Sequence, residues 1–200
     1  MAGDLQLQML LALLVGYLLG SIPFGLILTR LAGKGDIRKV GSGNIGATNV
    51  LRAGNRGLAA ATLVLDALKA TAAVLIARAL LPGSETFAAA GALIGHLYPV
   101  WLKFRGGKGV ATYLGLLIPL LWPAAVIYAV IWVAALVVIR ISSVGGMLAA
   151  ISAPIAAAAL GQHTLFPMLL GFTLLVLWRH HENIVRLKAG TEPRIGKKSG

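Results

Sequence analysis

A bundle of membrane-spanning α-helices is the fold class this sequence predicts, and three observations predict it. Hydrophobic residues make up 58% of the 200 positions and charged residues only 12%, the proportions of a polytopic membrane protein. The apolar residues fall into long, sparsely charged runs closed by glycine, proline or basic clusters. The net charge of +12 is concentrated in the connections, as expected of loops held on the cytoplasmic side. The expectation is an all-α bundle of seven transmembrane helices in one domain, residues 1–200, with the N-terminus out and the C-terminus cytoplasmic.

The first span covers about 5–31, with no charge between Asp4 and Arg30. Its sole early charge is acidic, so it is not read as a cleavable signal, which wants a positive start. Pro23, in Gly20-Ser21-Ile22-Pro23, is expected to kink the helix and free a carbonyl that a neighbour must satisfy. A glycine-rich polar loop follows. The second span runs over 57–81 and is ended by Pro82-Gly83-Ser84; the third runs over 86–102. A second glycine-rich loop leads to the fourth segment, 110–121. At roughly 18 Å it falls short of the ~30 Å hydrocarbon core, which suggests a broken or partly submerged helix. Trp122-Pro123 marks an interfacial turn. The fifth, sixth and seventh spans are 123–139, 143–161 and 164–178, and a basic tail starts at Arg179.

Seven crossings put the loops at 30–56, 103–108 and 140, and the tail, on one face. These carry six, three, one and six Lys or Arg, 16 of the 18 in the chain, and that asymmetry selects the orientation. Merging the fourth and fifth segments would give six spans and send Arg140 and the tail outside, against the same rule. With seven spans, all three polar glycine-containing stretches share the cytoplasmic side, which apolar bulk alone does not require.

The first stretch, Lys39 to Arg52, holds Gly41, Ser42, Gly43, Asn44, Gly46, Ala47, Thr48 and Asn49. Such a loop can turn backbone N–H groups towards one anion, and a helix opened by Ala47 would add its N-terminus. Arg52 supplies a forked cation. Gly41-x-Gly43-x-x-Gly46 matches the dinucleotide fingerprint, but membrane spans flank it where a βαβ unit is needed. The second stretch runs from Gly95-His96 through Lys103, Arg105, Gly106, Gly107 and Lys108 to Thr112. Its cations among small residues can approach a phosphate closely, while His96 reads as a structural hydrogen-bonder at a helix end. The third is Arg179-His180-His181-Glu182-Asn183 to Gly196, in which His180 and Asn183 share a face if the helix continues. Lys197 to Gly200 reads as a solvated basic end. Asp66 and Lys69, also three apart, lie inside the second span, where a charged pair is either functional or a packing pair.

With no cysteine, the chain has no disulfide framework, thiolate nucleophile or cysteine-held metal. Its basic loops carry almost no aromatics on which bases could stack, so no nucleic-acid partner is expected. Six acidic residues form no carboxylate cluster, against a magnesium-dependent phosphotransferase or a two-metal hydrolase. The His-x4-Asp acyltransferase signature is missing.

Taken together, Gly41 to Arg52, Gly95 to Pro99 with Phe104 to Thr112, and His180-x-x-Asn183-Ile-x-Arg186-Leu187 with Gly190-Thr191-Glu192 resemble three signature stretches of one family. It is the bacterial acyl-phosphate:glycerol-3-phosphate acyltransferase family. Gly20 to Gly25 and Leu65 to Lys69 also resemble family patterns, and the resemblance runs the length of the chain. Arg105 stands where a lysine is common. The resemblance implies a multi-pass enzyme of the bacterial inner membrane with its active site facing the cytoplasm. It would move an acyl chain from acyl phosphate to the sn-1 hydroxyl of glycerol 3-phosphate, giving lysophosphatidic acid and phosphate. It implies no metal, no cofactor and no direct use of acyl-CoA, and a monomer is expected. By resemblance, Ser42 to Thr48, with Asn49, cradle the acyl-phosphate headgroup, and Arg52, Lys108, His180 and Asn183 hold glycerol 3-phosphate. Ser42, Arg52, Lys108, His180 and Asn183 are the candidate catalytic residues; Lys103, Arg105, Gly106 and Gly107 are secondary. The proton acceptor is either a phosphate oxygen of the donor, which is favoured, or His180. Two rivals stand beside this reading: a transporter of phosphorylated metabolites, which should show inverted repeats or two-sided polar stretches, and an acyltransferase using a thioester donor.

Overall fold

A computed structural model describes residues 2–195 and is entirely helical among them, without strands. The end of the tail, Lys197 to Gly200, lies outside the described residues, as does Gly196. Ten α-helices occur in order: α1 Ala2–Gly20, α2 Phe24–Leu31, α3 Ala47–Arg52, α4 Arg56–Leu80, α5 Glu85–Leu97, α6 Val110–Leu120, α7 Trp122–Val138, α8 Ser142–Ala159, α9 Phe166–Arg179 and α10 His181–Lys188. The chain divides into two compact units, Met1–Leu120 and Leu121–Gly200.

In the first unit α4 is the central helix and contacts α1, α2, α3, α5 and α6. Asn55 starts it by accepting a hydrogen bond from the Leu58 N–H, as an N-cap side chain does. Ala59, Thr62, Asp66, Lys69, Ala70, Ala73, Val74 and Ala77 are buried on α4, at the three- and four-residue spacing of a helix face. α1 packs along α5 through small residues. A Cβ on Gly16 or Gly20 would strike the backbone of Ala88 or Ala92, and one on Gly91 or Gly95 would strike that of Leu13 or Tyr17. Small residues at a four-residue spacing let two helices approach this closely where lipid supplies no hydrophobic drive.

The first span is broken, not merely kinked. α1 stops at Gly20 and α2 begins at Phe24, because proline removes a donor and clashes with the preceding turn. The freed carbonyls are taken by side chains: Trp101 Nε1 donates to the Ser21 carbonyl at 2.8 Å and Lys69 Nζ to that of Ile22 at 2.7 Å. The third apolar segment is also shorter than expected. α5 ends at Leu97, and after Pro99 a single 3-10 turn, Val100–Leu102, replaces the helix, since a residue before proline is driven out of the helical region.

In the second unit α8 lies between α7 and α9, with Tyr128, Ala149, Ala153, Leu169 and Val176 in its core. The seventh segment ends in a joint: α9 stops at Arg179, His180 caps it, and α10 starts at His181. The tail then folds back, the Ile195 N–H donating to the Arg140 carbonyl at 2.7 Å. Gly3–Leu31 as a broken segment, Arg56–Leu80 and Ser142–Ala159 are long and apolar enough to cross a membrane; α6, α7 and α9 are shorter apolar helices. Leu7, Leu10, Leu14 and Leu18 on α1 and Val126, Val130, Val133 and Val137 on α7 point outward, as lipid-facing side chains would.

Candidate active site

The first glycine-rich stretch is a loop wound around one side chain. Asn49, 1% exposed on α3, accepts from the Ser42 N–H at 3.0 Å and the Ser42 hydroxyl at 3.3 Å. Its amide donates to the carbonyls of Ile37, Val40 and Asn44 at 3.0, 2.9 and 2.8 Å. Gly41 and Gly43 have φ of 59° and 68°, the left-handed region that glycine enters at no steric cost. The expected convergence of loop amides on one anion is reduced. The N–H groups of Ser42, Gly43 and Gly46 are turned to Asn49, Val40 and Asn44, while those of Asn44, Ile45 and Ala47 have no acceptor within the loop. Ser42 and Gly43 are exposed, and Asn44, Gly46, Ala47, Thr48 and Arg52 are half-buried.

Before this loop, Asp36 caps the 3-10 turn Ile37–Lys39 and pairs with Arg30 and Arg38. The Arg38 guanidinium holds the Asp36 carboxyl well below the usual carboxylate range, and Asp36 in turn raises Arg38. Beneath it Leu26, Ile37, Val50 and Ala59 form a small core, on which Leu102 also packs. Leu102 immediately precedes the second basic stretch, so both stretches rest on one apolar footing.

The second stretch turns sharply. Lys103 and Phe104 both have positive φ, 53° and 59°, unusual for side-chain-bearing residues. The Gly106 N–H then donates to the Leu97 carbonyl at 3.1 Å and the Gly107 N–H to that of His96 at 3.0 Å. A Cβ on Gly107 would collide with the His96 ring, so the loop lies directly on the imidazole. The structure separates the cations: Lys103 and Arg105 are exposed, whereas Lys108 is half-buried beside buried Gly107 and Gly109, at the start of α6.

The third stretch belongs to the second unit. His180 is 2% exposed and its Nδ1 donates to the Val176 carbonyl at 2.7 Å, which makes Nε2 the acceptor nitrogen of the neutral ring. Asn183 is buried although the helix breaks before it. Its amide donates to Glu192 Oε1 at 2.6 Å, the Ser143 hydroxyl donates to the same oxygen at 2.7 Å, and Arg186 Nε donates to Oε2 at 2.7 Å. Burial pushes the Glu192 carboxyl up, but these donors outweigh it and hold the group below its ordinary value. Sequence reading singled out neither Ser143 nor Glu192 as site residues. One signal was available: Glu192 is one of six acids in a chain with 18 Lys or Arg, placed inside a basic tail. Glu182 is exposed and reaches Arg186 only at 4.0 Å. Among the described residues no three His, Cys, Asp or Glu side chains group as a metal site requires.

A family profile described as glycerol-3-phosphate acyltransferase matches residues 10–190. The chain belongs to the glycerol-3-phosphate acyltransferase family. It is 58% identical to the glycerol-3-phosphate acyltransferase of Mesorhizobium japonicum over 95% of this chain and 97% of that protein. It is 58% identical to that of Rhodopseudomonas palustris strain HaA2 over 94% and 95%. Among solved structures it is similar to PlsY (YgiH), an integral membrane glycerol 3-phosphate acyltransferase, in its glycerol 3-phosphate form. There the TM-score is 0.88 at 37% identity, with 94% of this chain and 96% of that one covered. The lysophosphatidic acid form gives a TM-score of 0.86 at 36% identity, with coverage of 94% and 95%. This acyltransferase is therefore an enzyme and a membrane protein, with the three stretches inside or at the edge of the region that the family profile covers.

Proposed function

We propose that the chain transfers a fatty acyl group from acyl phosphate to the sn-1 hydroxyl of glycerol 3-phosphate, releasing lysophosphatidic acid and inorganic phosphate, without acyl-CoA, metal or cofactor. The observation that carries this reading is the prebuilt first loop. Asn49 fixes its backbone through bonds within the loop itself, and the N–H groups of Asn44, Ile45 and Ala47 have no acceptor there. A preorganised set of amides stabilises charge as it develops on a leaving group at little reorganisation cost. The ligand states named for the PlsY structures, glycerol 3-phosphate and lysophosphatidic acid, are the acceptor and the product of this reaction.

In this scheme Ser42, Gly43, Asn44, Gly46, Ala47, Thr48 and Asn49 hold the acyl-phosphate headgroup. Arg52, Lys108, His180 and Asn183 hold glycerol 3-phosphate, with Lys103, Arg105, Gly106 and Gly107 as secondary candidates. The acceptor hydroxyl oxygen attacks the acyl carbonyl carbon, the bond from that carbon to the phosphate oxygen breaks, and phosphate leaves with the electron pair. Acyl phosphate is already activated, so the protein's task is orientation and removal of one proton. A phosphate oxygen of the donor takes it and leaves as part of inorganic phosphate. We further propose seven crossings of the bacterial inner membrane by one functional domain, residues 1–200, as a monomer with the N-terminus out and the site cytoplasmic.

The test is phosphate release by purified protein given palmitoyl phosphate, glycerol 3-phosphate and EDTA, with palmitoyl-CoA as a parallel donor. Release that depends on glycerol 3-phosphate, with lysophosphatidic acid formed and no reaction of the thioester, is the expected result. Activity with palmitoyl-CoA alone would overturn the donor.

A further inference from the structure

The membrane-embedded pair left aside by the sequence, Asp66 and Lys69 on α4, is part of a larger cluster. Both are buried, at 3% and 5% exposure. The Lys69 ammonium forms an ion pair with one group and hydrogen bonds with two others. Asp66 Oδ1 lies at 2.7 Å, the Ile22 carbonyl at 2.7 Å and His96 Nδ1 at 3.0 Å. A packing pair would need only the first. The other two belong to different elements, and each leads to one of the glycine-rich loops.

On one side, an ammonium carries no lone pair, so His96 Nδ1 must accept and the ring proton sits on Nε2. That nitrogen is the His96 atom nearest a Cβ built on Gly107, and the Gly107 N–H is bound to the carbonyl of His96 itself. Turning the imidazole would therefore displace the backbone next to Lys108. On the other side, the Ile22 carbonyl lies in the break between α1 and α2. The Phe24 ring, at the first residue of α2, has its centroid 5.8 Å from Lys69 Nζ. The next residue, Gly25, packs so closely on the Ile45 carbonyl of the first loop that a Cβ would strike it. One ammonium thus ties the α1–α2 break under the first loop to the imidazole under the second.

We propose that Lys69, neutralised by Asp66, is a positioning residue that holds the two glycine-rich loops in register. The proposal rests on the reading of these loops as the substrate site, and it predicts that loss of the clasp leaves the helices folded while the loops lose their fixed separation. Placement errors near 1 Å cost about a hundred-fold in rate.

The chain has no cysteine, so spin labels can be placed at Val40→Cys and Phe104→Cys, both exposed and one on each loop. Their distance distribution is measured in lipid nanodiscs beside phosphate-release kinetics. Lys69→Met leaves Asp66 unpaired and invites misfolding, so the informative variant is Asp66→Asn with Lys69→Met, which keeps the site neutral. The expected result is an unchanged helical content by circular dichroism, a broadened distribution, and kcat/KM for glycerol 3-phosphate lower by about a hundred-fold, with Lys69→Arg recovering part of the last two. A narrow distribution with wild-type kinetics in the double variant overturns the proposal, as does broadening without any kinetic change. Failure of the underlying reading looks different: wild-type protein would show no phosphate release dependent on glycerol 3-phosphate, while the labels still report the clasp.

Discussion

Asn49 sends both ends of its amide into the loop around it, the nitrogen to three carbonyls and the oxygen to Ser42. Asn49→Asp keeps the shape but turns a second oxygen towards the carbonyls of Ile37, Val40 and Asn44. Each buried group left unsatisfied costs about 1–3 kcal/mol, so both Asn49→Asp and Asn49→Ala should lower Tm and reduce kcat/KM by roughly ten- to a hundred-fold. Near-normal activity of Asn49→Asp would show that the position needs only volume. For the proposed acceptor site, Arg52→Ala and Lys108→Ala should raise KM for glycerol 3-phosphate, each losing about 1.5–3 kcal/mol with a charged hydrogen bond. The exposed Lys103 and Arg105 should matter less when replaced, as steady-state kinetics with varied glycerol 3-phosphate will show. Glu192 carries a pH prediction. Its folded pKa lies below its ordinary value, so its ionised form stabilises the fold fully above the unfolded pKa of about 4.3. That contribution fades as pH falls through the lower folded pKa. The Tm gap between wild type and Glu192→Gln should stay constant from neutral pH down to about 4.3 and narrow below it. Asn49 was legible as part of a polar island. Its role as the organiser was not, because a side chain that bonds backbone five to twelve residues away leaves no periodic trace.

The helices themselves were largely legible. Uncharged runs, Pro23, Pro82-Gly83 and Trp122-Pro123 marked where they stop, and the boundaries of α4, α6, α7 and α8 fall within two residues of expectation. The misses have local causes. Pro23 produced a break because two neighbouring side chains were available to take the Ser21 and Ile22 carbonyls, and no single-element reading foresees partners 47 or 80 positions away. Gly16-x3-Gly20 and Gly91-x3-Gly95 stand in the sequence, but nothing in it pairs the two. In the fold they are the surface on which α1 meets α5. Replacing Gly20 by Val should therefore force the helices apart, at about 1–3 kcal/mol or more for overpacking. Gly171→Val is the control, since a Cβ on Gly171 meets nothing within 4 Å. Thermal denaturation in detergent should show a fall in Tm for Gly20→Val and little change for Gly171→Val; equal effects would remove the packing argument.

At the scale of the whole molecule, charge distribution reaches further than helix length. By length and composition three segments qualify as spans; α7 and α9, of 17 and 14 residues, fall short, and α5 and α6, of 13 and 11 residues, cover only roughly 20 and 17 Å at 1.5 Å per residue. Such short helices cross hydrocarbon only if neighbouring protein satisfies the irregular backbone at their ends. Around α5 that happens: Pro99 accepts from the Leu102 and Phe104 N–H groups, and Leu97 and His96 accept from Gly106 and Gly107. The basic loops then decide sidedness, with 16 of the 18 Lys or Arg on one proposed face. Single cysteines introduced into the cysteine-free chain test this directly, at the exposed positions Lys34, Pro82, His163 and Ala189. Seven crossings with the N-terminus out predict that a membrane-impermeant maleimide reaches Lys34→Cys and Ala189→Cys only from the cytoplasmic side. Pro82→Cys and His163→Cys should react only from the outside. Six crossings would leave Lys34→Cys inside while moving Ala189→Cys outside and His163→Cys inside. In that case His180 and Asn183, a few residues before Ala189, could not serve a cytoplasmic site with the Ser42 loop, and the acceptor site would have to be rebuilt from Arg52 and Lys108 alone.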